Sequence, residues 1–560
     1  MMKSPSTTVP TSLVIFLLTS LILLRVLVGF HPHSGQDNHH GKEDAYGGDY
    51  EAQRHWMELT LHLPIGDWYR YDLQYWGLDY PPLTAYHSYL CGLASHYLVG
   101  PESVELDKSR AYEDVTHKSF MRGTVLVFDV LLYFTAVWKI SQRLHFQNVS
   151  EWLWTVVLAL AQPAIILIDH GHFQYNTISL GLALWSFHFM TLEQNDNNRS
   201  AKFSGCVYGS ILFCGALNFK QMSLYYAPAV FAYLLGRCAS VPSFQGRVGR
   251  FCLLGITVIV TFAVLWWPFA LHSPQDTLDT EISEGPFDWI LHIVRRLFPF
   301  ERGLFEGKVS NIWCALSTKP FSIRRRIPQD LQPMLALLLT LVLIIPPCVA
   351  LFSAGQRTNK SHVAGNKGET ENGLRMILWG STSTSLAFFL ASFQVHEKSI
   401  MMALSPLSLI VADSPMFISW FSLVAVWTLW PLLQVDRLQV AYVTCTAIFV
   451  SLLFLYGRPV DAVARNIAGS ETQMIRDLFN GSIPLSVVLS LSSLFLMTLL
   501  HMLEIYIEVP TRLPDLFPVL WSILGCGFFV IAWSYSCLVL LRDFFSASKV
   551  NSESRSNPYR

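Results

Sequence analysis

Long apolar runs separated by short polar turns dominate this chain. The first, Thr11 to Phe30, is interrupted only by Arg25. A hydrocarbon core about 30 Å thick needs roughly 20 apolar residues in helical form, so this run can span. It is long for a signal peptide and no small-residue cleavage pattern follows, which predicts an uncleaved first span. Further runs lie near residues 119–138, 151–168, 177–192, 204–218, 222–236, 251–271, 332–354, 376–392, 399–412, 416–433, 439–456, 484–506 and 515–541. Together they predict an all-α polytopic membrane protein with about fourteen transmembrane helices.

Lysine and arginine in the short loops set the direction of the spans. With the N-terminus in the cytosol, the loops holding Lys139 and Arg143, then Arg199 and Lys202, fall on that side. So do those with Arg237, Arg247 and Arg250, with Arg357, Lys360, Lys367 and Arg375, and with Arg458, Arg465 and Arg476. The tail with Arg542, Lys549, Arg555 and Arg560 joins them, so both termini are expected in the cytosol. Two long polar segments, 31–118 and 272–330, then face the lumen. The second carries eight Lys/Arg residues, which long segments tolerate because they translocate largely regardless of charge.

The chain thus divides into a first span (1–30), a lumenal loop (31–118), spans two to seven (119–271) and a second lumenal loop (272–330). Spans eight to ten (331–412), C-terminal spans (413–541) and a cytosolic tail (542–560) complete it. Four sequons, at Asn148, Asn198, Asn359 and Asn480, fall in the cytosolic loops and are expected to carry no glycan. No internal repeat is visible, whereas many transporters are built from duplicated halves.

Composition narrows the class. The chain is 52% hydrophobic and only 14% charged, against about a quarter charged for a soluble domain. Its net charge of -1 gives no global field to recruit nucleic acid. Its ten cysteines are scattered without a Cys-x-x-Cys pair, which speaks against a zinc site or a disulfide framework.

The polar residues that remain are concentrated at the predicted lumenal boundary. Gly47 to Leu90 combines Asp49, Glu51, Asp67, Asp72 and Asp79 with Arg54, His55 and many Trp and Tyr. An interfacial aromatic belt would account for the rings but not for so many carboxylates. Asp49 follows two glycines and suits a helix N-cap; at a bilayer rim the same carboxylate suits a general base. Asp79 precedes Pro81-Pro82, so its backbone is expected to be extended.

Asp169-His170-Gly171-His172-Phe173-Gln174-Tyr175-Asn176 ends the third span. Histidines two apart diverge on a helix, so a polar cap that shapes a site is favoured over a metal centre. Phe219-Lys220-Gln221 is a similar polar turn. Arg295, Arg296 and Arg302 flank Phe298-Pro299-Phe300 and suit either phosphate recognition or snorkelling to head groups. Gln394-Val395-His396-Glu397-Lys398 places ionisable residues at a membrane boundary, where they are functional candidates.

These motifs, from Asp49-Tyr50-Glu51-Ala52-Gln53-Arg54-His55-Trp56-Met57-Glu58 through Tyr71 to Pro82, resemble the dolichyl-phosphate-glucose-dependent glucosyltransferases of N-glycan precursor assembly. Asp169 to Asn176, Phe219 to Met222, Arg296 to Phe300 and Val395 to Lys398 carry the same resemblance, in the same order. It runs from about residue 46 to 410. The stretch Asp72 to Tyr86 is most similar to the member that adds the first glucose, rather than to its sibling that adds the second.

The resemblance implies a membrane-embedded fold of the GT-C class. It implies dolichyl-phosphate glucose as donor, an oligosaccharide on dolichyl diphosphate as acceptor, and an endoplasmic-reticulum location with a lumenal site. No cofactor or metal is expected. Asp49 is the implied general base, with Asp79 orienting the acceptor or sharing that role. His396, Lys398 and Arg296 are candidates for the donor phosphate, and His172, Gln174 and Lys220 for the donor pocket. Arg54, Trp76 and Tyr80 are assigned to the acceptor. A transporter of polyprenyl-phosphate sugars is the rival of a different class. Transporters commonly hold charged sites near the bilayer midplane, whereas these motifs lie at one rim.

Overall fold

The computed structural model describes residues 10–30, 48–192, 201–271, 288–298, 309–318, 321–357, 368–457 and 485–556. Every regular element among them is helical. Pro299, Phe300 and Arg302, and the sequons at Asn198, Asn359 and Asn480, lie outside these residues. The remaining sequon residue, Asn148, caps the helix Val149–Leu160 by accepting from the Glu151 amide at 3.2 Å.

Among the described residues, seven helices are long and apolar enough to cross a membrane: Thr11–Gly29, Val115–Leu144, Phe244–Leu271, Gln329–Arg357, Gln439–Gly457, Val487–Tyr506 and Leu516–Phe545. The pair Val149–Leu160 and Pro163–Phe173, bent by 41°, makes an eighth if counted as one span. This is fewer than the fourteen apolar runs of the sequence. The difference arises because several runs fold as shorter or broken helices, such as Phe203–Phe219, Pro415–Thr428 and Met401–Ser408. Pro163 stands in the first turn after the 162 break, where it cannot supply a backbone donor.

Residues 31–118, expected as a loop, contain two substantial helices. Gly48–His62 and Pro82–Leu98 pack so closely that a Cβ at Gly92 would lie 2.6 Å from the Met57 carbonyl oxygen. The segment then re-enters the bundle through Val115–Phe128, whose N-terminus Asp114 caps by accepting from the Thr116 and His117 amides.

One large apolar core runs from Leu21 to Leu540 and unites helices from both halves of the chain. By contrast, Ile256, Ile259, Val260 and Val264 of Phe244–Leu271 face outward, as a lipid-facing helix requires. The single charge in the first span is explained by its partners. Arg25 is 1% exposed, and its Nε donates to Asp129 Oδ2 at 2.6 Å. The same oxygen lies 2.9 Å from His170 Nε2.

Contacts sort into two ends of the bundle. Arg143 meets Thr191 at 2.9 Å, Tyr456 meets Glu151 at 3.1 Å, and Arg375 pairs with Asp413 at one end. The other end gathers Asp49, His172, Lys220 and Lys398. Residues assigned to one side by the charge bias contact others assigned to the same side.

Candidate active site

Asp49 sits in the first turn of Gly48–His62, where the helix N-terminus favours a negative charge. Its Oδ2 accepts from His172 Nε2 at 2.6 Å, Gln174 Nε2 at 2.5 Å and Lys398 Nζ at 2.6 Å. Oδ1 receives none of these three bonds, and the side chain keeps 26% of its surface exposed.

A π-helical turn, Leu167–Phe173, aims His172 and Gln174 at that carboxylate. Its closing bond runs from the Gln174 amide to the Asp169 carbonyl at 3.2 Å. Phe173 takes a left-handed φ of 79°, a conformation that costs a non-glycine residue about 1–3 kcal/mol and clusters at functional sites. Two neighbours hold the turn. Arg122 donates to the carbonyls of His170 and Gly171. The Asp169 carboxylate accepts from Asn176 Nδ2 at 2.6 Å and the Thr177 amide at 2.7 Å, seating the next helix. His170 and His172 diverge, the first to Asp129 and the second to Asp49.

Lys220 extends the cluster. It is an extended residue before the turn Gln221–Tyr226, and its Nζ donates to Gln174 Oε1 at 2.8 Å and Asn176 Oδ1 at 2.5 Å. The ammonium also lies 4.9 Å from the centre of the Tyr80 ring, within cation–π range. Tyr80 itself donates to Gln174 Oε1 at 3.4 Å. Asp49, Gln174, Lys220 and Tyr80 therefore form one connected polar group.

The remaining expected residues have other surroundings. Asp79 is half-buried, and its carbonyl accepts from Gln221 Nε2 at 3.3 Å. Trp76 presents its carbonyl to Trp56 Nε1 at 3.0 Å, and the Trp56 ring lies 4.9 Å from that of Tyr80. Arg296 donates to the Gly77 carbonyl at 3.1 Å and the Leu78 carbonyl at 3.5 Å, so it anchors the loop leading to Asp79. His396 is exposed, and the cation that reaches Asp49 is Lys398, two residues on in the turn Glu397–Ile400.

Arg54 lies apart from this group. It is fully buried, with Nε and Nη2 on the two oxygens of Glu51 at 2.8 and 2.5 Å. Nη1 donates to Glu58 at 2.7 Å and Ser109 at 2.6 Å. A guanidinium enclosed by two carboxylates on its own helix is a structural tie, and its 0% exposure leaves no face for an acceptor sugar.

Sequence reasoning missed Asp436. Its Oδ2 lies 2.6 Å from His172 Nδ1, on the ring edge opposite Asp49. A single acid in the short turn between two apolar runs gives almost no signal of such a contact.

The electrostatics suit an ionised base beside cations. Burial alone would raise the Asp49 carboxyl, but Lys398 and His172 overcome it and hold the group well below the usual carboxylate range. Burial, with repulsion from Lys398, pulls the Lys220 ammonium down to about 7. Burial, reinforced by the charges of Asp49 and Asp79, keeps the Tyr80 phenol protonated.

A helical membrane bundle that gathers a carboxylate, cations and aromatic rings at one end has the makeup of a membrane-embedded glycosyltransferase. The chain belongs to the ALG6, ALG8 glycosyltransferase family, which matches residues 21–535. It is 36% identical to the dolichyl pyrophosphate Man9GlcNAc2 alpha-1,3-glucosyltransferase of Gallus gallus, over 94% of this chain and 97% of that one. The protein of that name from Saccharomyces cerevisiae is 34% identical over 94% and 91% of the two chains. A probable enzyme of the same name from Arabidopsis thaliana is 36% identical over 93% and 88%.

Proposed function

We propose that this protein transfers the first glucose from dolichyl-phosphate glucose to Man9GlcNAc2 on dolichyl diphosphate, in alpha-1,3 linkage. The observation that carries the reading is the Asp49 carboxylate, with three donors on Oδ2 and none of them on Oδ1. The shared name of the relatives supports the first-glucose step over the second.

The reaction is a single displacement with inversion. The acceptor hydroxyl oxygen bonds to the anomeric carbon of glucose as the bond from that carbon to the phosphate oxygen breaks. Its proton passes to Asp49 Oδ1, and the electron pair departs with dolichyl phosphate. General-base assistance of this kind contributes about 10²–10⁴-fold.

Lys398 and Lys220 receive the phosphate charge, since preorganised cations stabilise a departing anion. His396, exposed on the same turn as Lys398, is the next phosphate ligand. When phosphate draws Lys398 toward itself, Asp49 loses a neutralising partner and becomes a stronger base as the donor arrives. Asp79 orients the acceptor, and Trp76 and Tyr80 supply rings against which its sugars stack. Arg296 acts at one remove, through the carbonyls of Gly77 and Leu78.

The site belongs on the lumenal face of the endoplasmic-reticulum membrane, with both termini in the cytosol. The two-ended sorting of contacts supports this arrangement. The shorter apolar helices would complete the count toward fourteen crossings.

The deciding experiment gives purified protein in lipid nanodiscs both lipid substrates and follows glucose appearing on the oligosaccharide. Wild-type protein is expected to form an alpha-1,3-glucosylated product, and Asp49→Asn protein to form almost none. A wild-type preparation that moves donor across a bilayer but glucosylates nothing would overturn the proposal.

A further inference from the structure

The helices beyond residue 413 also supply a side chain to the cluster, and its geometry is built rather than incidental. Asp436 ends the helix Trp430–Val435 and is 4% exposed. Three backbone bonds fix the turn: Asp436 to the Leu432 carbonyl at 3.2 Å, Arg437 to Gln434 at 3.1 Å, and Leu438 to Leu433 at 2.8 Å. Arg437 takes the left-handed φ of 59° that such a helix ending requires. The turn presses on the π segment: a Cβ at Gly171 would meet Leu438 Cδ1 at 3.0 Å. The two turns are thus packed in a fixed register, next to the residue that reaches Asp49.

His172 is bracketed on both edges, with Nε2 2.6 Å from Asp49 and Nδ1 2.6 Å from Asp436. A neutral imidazole has one N–H donor. It cannot donate to carboxylate oxygens on both edges at once, so the arrangement favours a ring carrying both protons. Removing the charge at Asp436 would let the ring lose its second proton or turn, and either change alters what Asp49 meets at Oδ2.

We infer that Asp436 is a positioning residue for the glucosyl transfer, holding His172 by Nδ1 so that Nε2 is aimed at the Asp49 carboxylate. The inference rests on the assignment of Asp49 as base. Asp436 touches neither substrate; it acts through the imidazole. Its role gives the C-terminal helices a part in the chemistry performed by the N-terminal motifs.

The test is a double-mutant cycle on purified full-length protein in nanodiscs, using Asp436→Asn, His172→Gln and the pair, with Asp436→Glu as the conservative variant. Carboxylates that orient metal-ligating histidines typically command about 10–100-fold, and the same order is expected for this carboxylate–imidazole pair. Asp436→Asn should lower kcat by that factor, with both KM values unchanged within about 3-fold. The double variant should be no worse than His172→Gln alone, and Asp436→Glu should recover most of kcat.

Losses that multiply across the cycle, or a kcat for Asp436→Asn equal to wild type, would overturn the inference. So would a loss of activity that simply tracks a lowered melting temperature. If Asp436→Asn fails to fold, the cycle is run with Asp436→Ser, whose shorter side chain should lower kcat only while His172 is present. Wild-type protein that transfers no glucose refutes the proposed function and near-normal Asp49→Asn refutes the base assignment, whereas active wild type, inactive Asp49→Asn and normal Asp436→Asn refute this inference alone.

Discussion

The Lys398 ammonium lies 2.6 Å from the Asp49 carboxylate across 349 residues of chain. Both side chains keep part of their surface exposed, 13% and 26% respectively, and without this ion pair Asp49 would retain the donors His172 and Gln174. Its value is positional: an incoming phosphate finds a cation already aimed at the base. Replacing Lys398 with Gln is therefore expected to raise the donor KM by about 10–100-fold, the worth of a charge-assisted hydrogen bond of about 1.5–3 kcal/mol. The melting temperature should barely move. Steady-state kinetics with varied donor would show it, and an unchanged donor KM would remove Lys398 from phosphate binding.

Asp49→Asn keeps the shape of the side chain and removes its basicity. Glucose transfer should fall by about 10²–10⁴-fold, with substrate binding little affected. The pH profile carries a second signature. Because Lys398 and His172 hold the Asp49 carboxyl well below its usual range despite burial, the base stays ionised into mildly acidic solution. Its contribution to stability is likewise present above the unfolded value, near 3.8, and is lost only as pH falls through the lowered folded value. Activity that titrates away near pH 6 would point to a different base.

Much of this site was legible because apolar runs make every polar interruption conspicuous. Asp49, His172, Gln174, Lys220 and Lys398 each stood in such a break, and the charge bias of the loops assigned them to one side. What the chain could not reveal is which interruptions touch. Asp436 is a lone acid in a short turn, indistinguishable by sequence from a solvated charge. Arg54 shows the opposite case, since Glu51 and Glu58 stand three residues before and four after it, the spacing of helical ion pairs. That pattern is present in the sequence, where the aromatic and acidic setting equally suits ligand binding. The form of the spans was obscured for another reason: apolar runs such as 399–412 fold partly as short 3-10 and broken helices, and hydropathy does not mark those breaks.

Lys220 offers a pH effect of opposite sense to Asp49. Burial and the neighbouring Lys398 pull its ammonium down to about 7, so the charged form declines as pH rises through neutrality. The donor KM of the wild type should climb between about pH 6 and pH 8, well before an ordinary lysine near 10.4 would titrate. Lys220→Met should have a high donor KM throughout that range and no such climb. A wild-type KM that stays flat across it would exclude Lys220 as a phosphate ligand.

Arg54 separates scaffold from ligand contact most cleanly. Its guanidinium is enclosed by Glu51, Glu58 and Ser109 with 0% exposure, so removing it strands two carboxylates inside the protein. Breaking a buried pair in this way costs about 3–5 kcal/mol. Arg54→Ala should therefore lower the melting temperature sharply and reduce the yield of folded protein. Arg54→Lys should recover part of the loss, because it restores charge without the planar fork that grips both oxygens of Glu51. In the protein that does fold, the acceptor KM should stay within about 3-fold of wild type, since that shift corresponds to less than about 1 kcal/mol. The opposite result, an acceptor KM raised tenfold or more with the melting temperature intact, would place Arg54 at the oligosaccharide after all. It would also mean that the helix Gly48–His62 rearranges when substrate binds.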